Sequence, residues 1–324
     1  MIPQINIIEK KLKVALIGPP NVGKSTLINA LTGQKIAIIT HKPQTTRTST
    51  LGIMTDGDTQ IIFADTPGIF EPRKDHKLER FIVNNAIKTI KKIDISLLLI
   101  DAYLIQKIVE QKILDQEIES RLLPYRAVIK LILQNKKSIN LFIVANKIDS
   151  LKDPSIINNL TQDNHQLIFQ TITKGFSNIQ QHPIIPISAL KIENIDHLLS
   201  AIKPYAKESP WEFDAEQCTD ISERTLAEEI TREQLYLVMH AEIPYAVTID
   251  TDQWQEQPDG STIIYQSIIV LKASQKNMII GARGQMIKTI GERARREITT
   301  ALDRKVHLFL HVKVRAEWID KLPM

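Results

Sequence analysis

The stretch GPPNVGKS (residues 18–25) stands between KVALI and TLINALTG, that is, between a short apolar run and a helix-like one. Glycine, four residues, then Gly-Lys-Ser is the form of a loop that wraps backbone N–H groups around a polyphosphate, at the positive end of the following helix. Gly18 and Gly23 permit the turn and the close approach, Lys24 reaches the terminal phosphates, and Ser25 offers a hydroxyl to Mg²⁺. Gly18, Pro19, Pro20, Asn21, Val22, Gly23, Lys24, Ser25 and Thr26 are therefore the expected phosphate site. Such a loop needs a strand before it and a helix after it. KVALIG (13–18) and KSTLINALTG (24–33) supply both, with Gly33 as the helix stop.

Outward from this loop the pattern repeats. TLGIMT and TQIIFA flank Asp56-Gly57, a two-residue hairpin signal. ISLLLID, LFIVANK and HPIIPIS are apolar runs too short for helices. Strands alternating with helices predict an α/β unit with a mostly parallel sheet, and the hairpin adds one antiparallel edge strand.

Further motifs choose the nucleotide. NKID (146–149) ends a strand, where ligands bind in open α/β sheets. Guanine presents N1–H and N2–H₂ side by side, and the Asp149 carboxylate accepts both. Adenine would leave that carboxylate unpaired, a costly state. Asn146 and Lys147 complete this motif. In DTPG (65–68), Asp65 holds Mg²⁺ through water and the Gly68 N–H faces a γ-phosphate, with Thr66 and Pro67 between them. In PISAL (186–190), the backbone of Ser188 and Ala189 is placed to donate to guanine O6. The polar segment HKPQTTRTS contains Thr46, whose hydroxyl completes the Mg²⁺ shell beside Ser25 and Asp65. Lys24, Thr46 and Gly68 are the expected catalytic groups. Ile69 and Phe70 follow the DTPG glycine where Ras-like proteins place a water-orienting glutamine. An apolar side chain cannot orient water, so slow intrinsic hydrolysis is expected, with K⁺ held by Asn21 as an activator.

The chain has 324 residues, too many for one typical domain. One cysteine, Cys218, excludes an internal disulfide and favours a reducing compartment. MIPQINIIEKKLK has no signal-peptide core, and no apolar run is long enough to span a bilayer. KPYAKESPWEFDAEQCTD (203–220) lacks periodicity and reads as a linker. The expected domains are 1–204, a linker at 205–222, and 223–324.

The last unit is where the charge sits. From Lys272 to Arg315 there are eleven basic residues and three acidic ones, a balance of +8 against +4 for the whole chain, so the remainder is −4. Such asymmetry marks a polyanion-binding surface. In MIIGARGQMIKTIGERARREI, Ile287, Ile290, Ala294, Ile298 and Leu302 form one core-facing helical stripe, and Lys288, Arg295 and Arg296 lie off it. GARG (281–284) is a G-x-x-G between helices, where bare backbone admits a nucleic-acid strand. Lys276, Gly281, Ala282, Arg283, Gly284, Lys288 and Arg295 are the expected RNA contacts. His240, His307 and His311 lack metal-site spacing and read as structural or RNA-facing.

The first 200 residues resemble a GTPase domain of the translation-factor-related class. The helix–strand–strand–helix–helix–strand order of the last unit, with GARG, resembles a type II KH domain. Together, over nearly the full length, they resemble the Era family of bacterial GTPases, of the TrmE-Era-EngA-like group. The resemblance implies GTP or GDP as ligand, with Mg²⁺. It implies binding of the 3′ region of 16S ribosomal RNA and a role in small-subunit assembly, coupled to cell growth or division. It also implies a cytoplasmic monomer with peripheral attachment to the inner membrane and no DNA partner. Two rivals are a regulatory GTPase without RNA contact, which GARG opposes, and an RNA chaperone with a vestigial GTPase half, which intact Lys24, Ser25, Asp65 and Asp149 oppose.

Overall fold

The apolar run before the phosphate loop is β1 (Lys10–Ile17), whose last four residues are buried. The computed structural model describes residues 8–40, 50–66, 77–111, 116–239 and 247–318. They form two units, one from the described residues of 1–34, 46–73 and 82–220, the other from those of 35–45, 74–81 and 221–324.

After β1 come α1 (Lys24–Thr32), β2 (Thr50–Asp56), β3 (Thr59–Asp65), α2 (Lys77–Ile90), β4 (Ile95–Asp101), α3 (Ala102–Gln111), α4 (Gln116–Asn135) and β5 (Ile139–Asn146). Then follow α5 (Ser155–Asn158), α6 (Gln162–Ile172), β6 (Ile179–Gln181), β7 (Ile185–Ile187), α7 (Ile195–Ile202) and β8 (Lys207–Glu208). The strand order is β2-β3-β1-β4-β5-β6, with β7 beside β5 and β8 beside β1. Every pairing among β3, β1, β4, β5, β6 and β7 is parallel, whereas β2 runs antiparallel to β3 and forms an edge. Central parallel strands are covered on both faces and so read as continuous apolar runs; all seven residues of β3 are buried. Gly33 caps α1 in the left-handed region, as its position predicts. The hairpin is shifted by one residue: Asp56 pairs with Thr59, so the two loop residues are Gly57 and Asp58.

The segment expected to be a linker is docked. Lys207 and Glu208 pair with Lys11 and Lys10. Gln60 Oε1 accepts from the N–H groups of Glu212 (2.9 Å) and Phe213 (3.1 Å). Ile53 N donates to Cys218 O at 2.8 Å, and Leu51 N to Asp220 at 2.9 Å. An edge strand leaves a row of backbone groups unpaired, and here the irregular chain satisfies those of β2. The first unit therefore extends to Asp220.

The second unit contains α8 (Glu223–Val238), β9 (Val247–Glu256), β10 (Thr262–Val270), α9 (Ala273–Ile280), α10 (Gln285–Leu302) and β11 (Val306–Val314). β10 is central, antiparallel to β9 and parallel to β11. Ile264 packs with Ala294 and Ile298 of α10, and Ile268 and Val270 pack with Ile290. The expected stripe is thus the core face of α10, with Ile287 and Leu302 partly buried at its ends. Each fully buried Ile contributes about 1.5–3 kcal/mol. Inside this core Thr231 donates to Gln266 at 2.6 Å, and Gln266 reaches Thr251 at 3.3 Å, so the buried amide is satisfied at both ends.

Candidate functional site: a phosphate loop and a basic G-x-x-G face

The loop between β1 and α1 is shaped for anions before any anion arrives. Gly18 (φ 143°) lies so close to β4 that a Cβ there would sit 2.9 Å from Leu99 O. Asn21 adopts φ 64° at the exposed lip. Lys24 is 7% exposed, and its Nζ donates to Gly18 O (2.9 Å) and Pro19 O (2.8 Å). The side chain thus folds back over the loop it belongs to. Burial pushes the Lys24 ammonium down to about 8, against the opposing pull of Asp65. A phosphate beside it would restore the charged form. The expected result is that nucleotide affinity stays flat below about pH 8 and then falls by up to about tenfold per pH unit, as free Lys24 loses its proton while the bound form keeps it. Calorimetric titrations from pH 6.5 to 9.5 check this; a flat profile would contradict it.

Ser25 Oγ donates to Asp65 Oδ2 at 2.8 Å, joining the start of α1 to the end of β3. A hydroxyl and a fully buried carboxylate are hard oxygen donors, the type Mg²⁺ takes, so the pair fits the ion. Thr66 is buried and donates to Leu16 O at 2.6 Å, locking the end of β3 to β1. Thr46, Pro67, Gly68, Ile69 and Phe70 lie outside the described residues.

The guanine motif divides its labour in a way the sequence does not show. Asn146, 2% exposed, donates from Nδ2 to Val22 O (2.8 Å) and accepts at Oδ1 from Ala189 N (3.0 Å). It ties the phosphate loop to the loop after β7, and both ends of its amide are used in doing so. Ser188 N donates to Glu193 O at 3.1 Å. Both N–H groups expected to meet guanine O6 are therefore engaged within the protein. The physical reason is that buried amides must be paired in the folded chain itself. Asp149 is exposed, and its Oδ1 accepts from Ser188 Oγ at 2.5 Å, which fixes the carboxylate. Lys147, at φ 69°, pairs with Asp101 at 3.0 Å.

In the second unit Gly281 (φ 71°), Arg283 (φ 52°) and Gly284 (φ 75°) form the turn between α9 and α10. Ala282 and Arg283 are exposed. A Cβ on Gly281 would lie 2.6 Å from the Cβ of Met286, whereas one on Gly284 would meet open space. Lys288 and Arg295 are exposed on α10, and Lys276 is half-buried on α9. Among the described residues a single carboxylate approaches these cations, Glu292, 4.0 Å from Lys288. The face has a surplus of positive charge beside a backbone that a strand can reach. His311 lies 2.9 Å from Ser267 Oγ across the β10–β11 pairing, and His240 lies outside the described residues.

One connection was not legible. Glu233 of α8, 3% exposed, accepts from Lys35 Nζ (2.7 Å) and Ile39 N (2.8 Å), and Lys35 also reaches Glu297 of α10 at 3.1 Å. The described part of 35–45 belongs to the second unit through these bonds. Nothing in the local sequence around Lys35 signals partners some 200 residues away.

Comparison with known proteins agrees with this geometry. Residues 13–147 match the family described as 50S ribosome-binding GTPase, and residues 242–319 match the KH domain family. The chain is 40% identical over 305 residues to GTPase Era of Brucella suis biovar 1, covering 94% of this chain and 88% of that one. It is 38% identical over 317 residues to GTPase Era of Rickettsia bellii, covering 97% and 95%. Among solved structures, Era in complex with MgGDPNP and nucleotides 1506–1542 of 16S ribosomal RNA has a TM-score of 0.78 at 34% identity, covering 97% of this chain and 96% of that one. A single-substitution variant of Aquifex aeolicus Era bound to GDP·AlF4⁻ has the same score and identity, covering 96% of each chain.

Proposed function

The chain belongs to the Era family of GTPases, and from that premise we propose that it holds the 3′ region of 16S ribosomal RNA on its KH unit and acts in small-subunit maturation, gated by bound GTP. The observation that carries this reading is the coexistence, on one chain, of the Lys24–Ser25–Asp65 constellation and the basic GARG turn. Either alone would fit many proteins.

The residues divide the work. Lys24 supplies positive charge to the terminal phosphates, Ser25 and Thr46 directly and Asp65 through water would hold Mg²⁺, and Asp149 selects guanine. Held there, Mg²⁺ would supply positive charge against the terminal phosphates. Ser188 and Asn146 also position the site: one fixes the Asp149 carboxylate, the other joins the two loops that flank the nucleotide. Asn21, at the lip of the loop, is the group we assign to K⁺. Ile69 gives water no polar partner, so turnover is slow and rises with K⁺. No helix among the described residues is long and apolar enough to cross a membrane. The site of action we assign is the cytoplasm, with any membrane attachment peripheral.

Two measurements on the full chain test the reading. A labelled single strand from the 3′ end of 16S RNA is expected to be retained more tightly with a non-hydrolysable GTP analogue than with GDP, and ATP should not substitute. GTP turnover is expected to be faster in K⁺ than in Na⁺ at matched ionic strength. RNA retention indifferent to nucleotide would remove the gating, and equal turnover in the two salts would remove the K⁺ site.

A further inference from the structure

The nucleotide site lies at the carboxyl ends of β1 and β5. Because β4 and β5 run parallel to β1, their starts lie at the opposite end of the sheet. Two Lys-Lys pairs enter there: Lys91-Lys92 in the turn before β4, and Lys136-Lys137 before β5. A cleft of about 820 Å³ between these entries is lined by Asp94, Lys136, Lys137, Asn140, Gln180 and Lys207, among others. Lys91, Lys92, Lys137 and Lys207 are exposed.

The charge of this cleft is not balanced locally. Asp94 is the carboxylate in its lining, and it is already engaged: Oδ2 accepts from Lys13 N at 3.0 Å and Oδ1 from Lys207 Nζ at 2.5 Å. Lys136 Nζ donates to the Ile93 carbonyl at 2.5 Å, which holds the ammonium at the cleft without neutralising it. Burial lowers the Lys136 pKa, and Lys207 nearby lowers it further against the pull of Asp94. Two ammonium groups thus feel each other across a shared carboxylate, an arrangement an anion would relieve. Composition does not force it, because everything outside residues 272–315 sums to −4. Around the cations stand the amides of Asn140, Asn178 and Gln180 and the hydroxyl of Ser138, which donate and accept.

We propose that this cleft is a second RNA-binding site, on the GTPase unit and separate from the GARG face, that takes the phosphate backbone of a base-paired RNA segment. Lysines as compact point charges suit phosphate contact without base reading, and amides suit ribose 2′-hydroxyls. Backbone charge and hydroxyls are what a double-stranded RNA segment presents, its bases being paired. The inference rests on the function proposed above, in that the segment belongs to the same ribosomal RNA whose unpaired 3′ end meets the KH unit.

The test uses the full-length variant K137Q/K207Q, which removes the two exposed lysines of the cleft lining and keeps the Lys136 bond to Ile93. Binding to intact small ribosomal subunits in about 0.15 M salt is expected to weaken roughly ten- to thirty-fold. The slope of log K against log salt should flatten by about 1.8, taking about 0.9 for each of two duplex phosphates no longer neutralised. Affinity for GTP and for the short 3′ single strand should not change. Unchanged subunit affinity would overturn the proposal, and so would an equal weakening on the short strand, which would mean a general charge effect. Weaker binding to anionic phospholipid vesicles with subunit binding intact would reassign the cleft to a membrane surface and overturn it equally. If the unaltered protein binds neither subunit nor short strand, the proposed function itself falls instead, and the two failures are told apart.

Discussion

Asp149→Asn is expected to weaken GTP binding by about 2–4 kcal/mol, some thirty- to a thousand-fold, and to raise the relative affinity for xanthosine triphosphate. The carboxylate sits on the turn after β5 with Oδ1 fixed by Ser188 Oγ at 2.5 Å. Guanine brings two donors to it. An asparagine keeps the shape but substitutes a donor for one acceptor, so an N–H faces an N–H in a partly desolvated pocket. Xanthine has a carbonyl where guanine has its amino group, and it turns that clash into a bond. The fold should not suffer, because the side chain is exposed and Asn146, which joins the loops, is untouched. Calorimetric titrations of parent and variant with GTP, XTP and ATP measure the change. Parent protein that binds ATP as tightly as GTP would refute guanine selection by Asp149.

Gly284→Asp is expected to weaken binding of a 3′ single strand of 16S RNA by about ten- to a hundred-fold and to leave GTP affinity unchanged. The residue stands at φ 75°, where aspartate is among the better-tolerated side chains, and a Cβ there meets nothing within 4 Å. The packing of α9 and α10 should therefore survive. What changes is the outer surface: bulk and a negative charge enter the place where a phosphate strand must approach bare backbone. Gly281→Ala makes the informative contrast. Its Cβ would fall 2.6 Å from that of Met286, so it should lower the melting temperature, whereas Gly284→Asp should change it little. For the parent, if about five cations meet phosphates, log K should fall with log salt at a slope near −3.5. A Gly284→Asp variant that binds like the parent would leave the basic face as solvated surface alone.

How far the sequence went follows from which interactions are local. GPPNVGKS carries its own instructions: the glycines set the loop's close approach to β4, and the strand and helix around it follow from short runs on either side. The stripe Ile287, Ile290, Ala294, Ile298 and Leu302 is likewise a property of one helix's periodicity, and its burial was legible. The fold class of both units, the nucleotide, and the +8 segment that marks the RNA face all rest on such short-range patterns. Segments whose conformation is set by distant partners were not legible. Residues 205–220 have no periodicity of their own and took their structure from the unpaired edge of β2 and from Gln60. β6 is three residues long, too short to announce itself, and exists because β5 offers it a ladder. Asn146 belonged to a nucleotide motif by spacing, yet only the packed loops decided that its amide would also tie Val22 to Ala189. Lys137 and Lys207 are seventy positions apart in the chain. They line one cleft because the tertiary fold sets the start of β5 near β8, bringing like charges together at a cost.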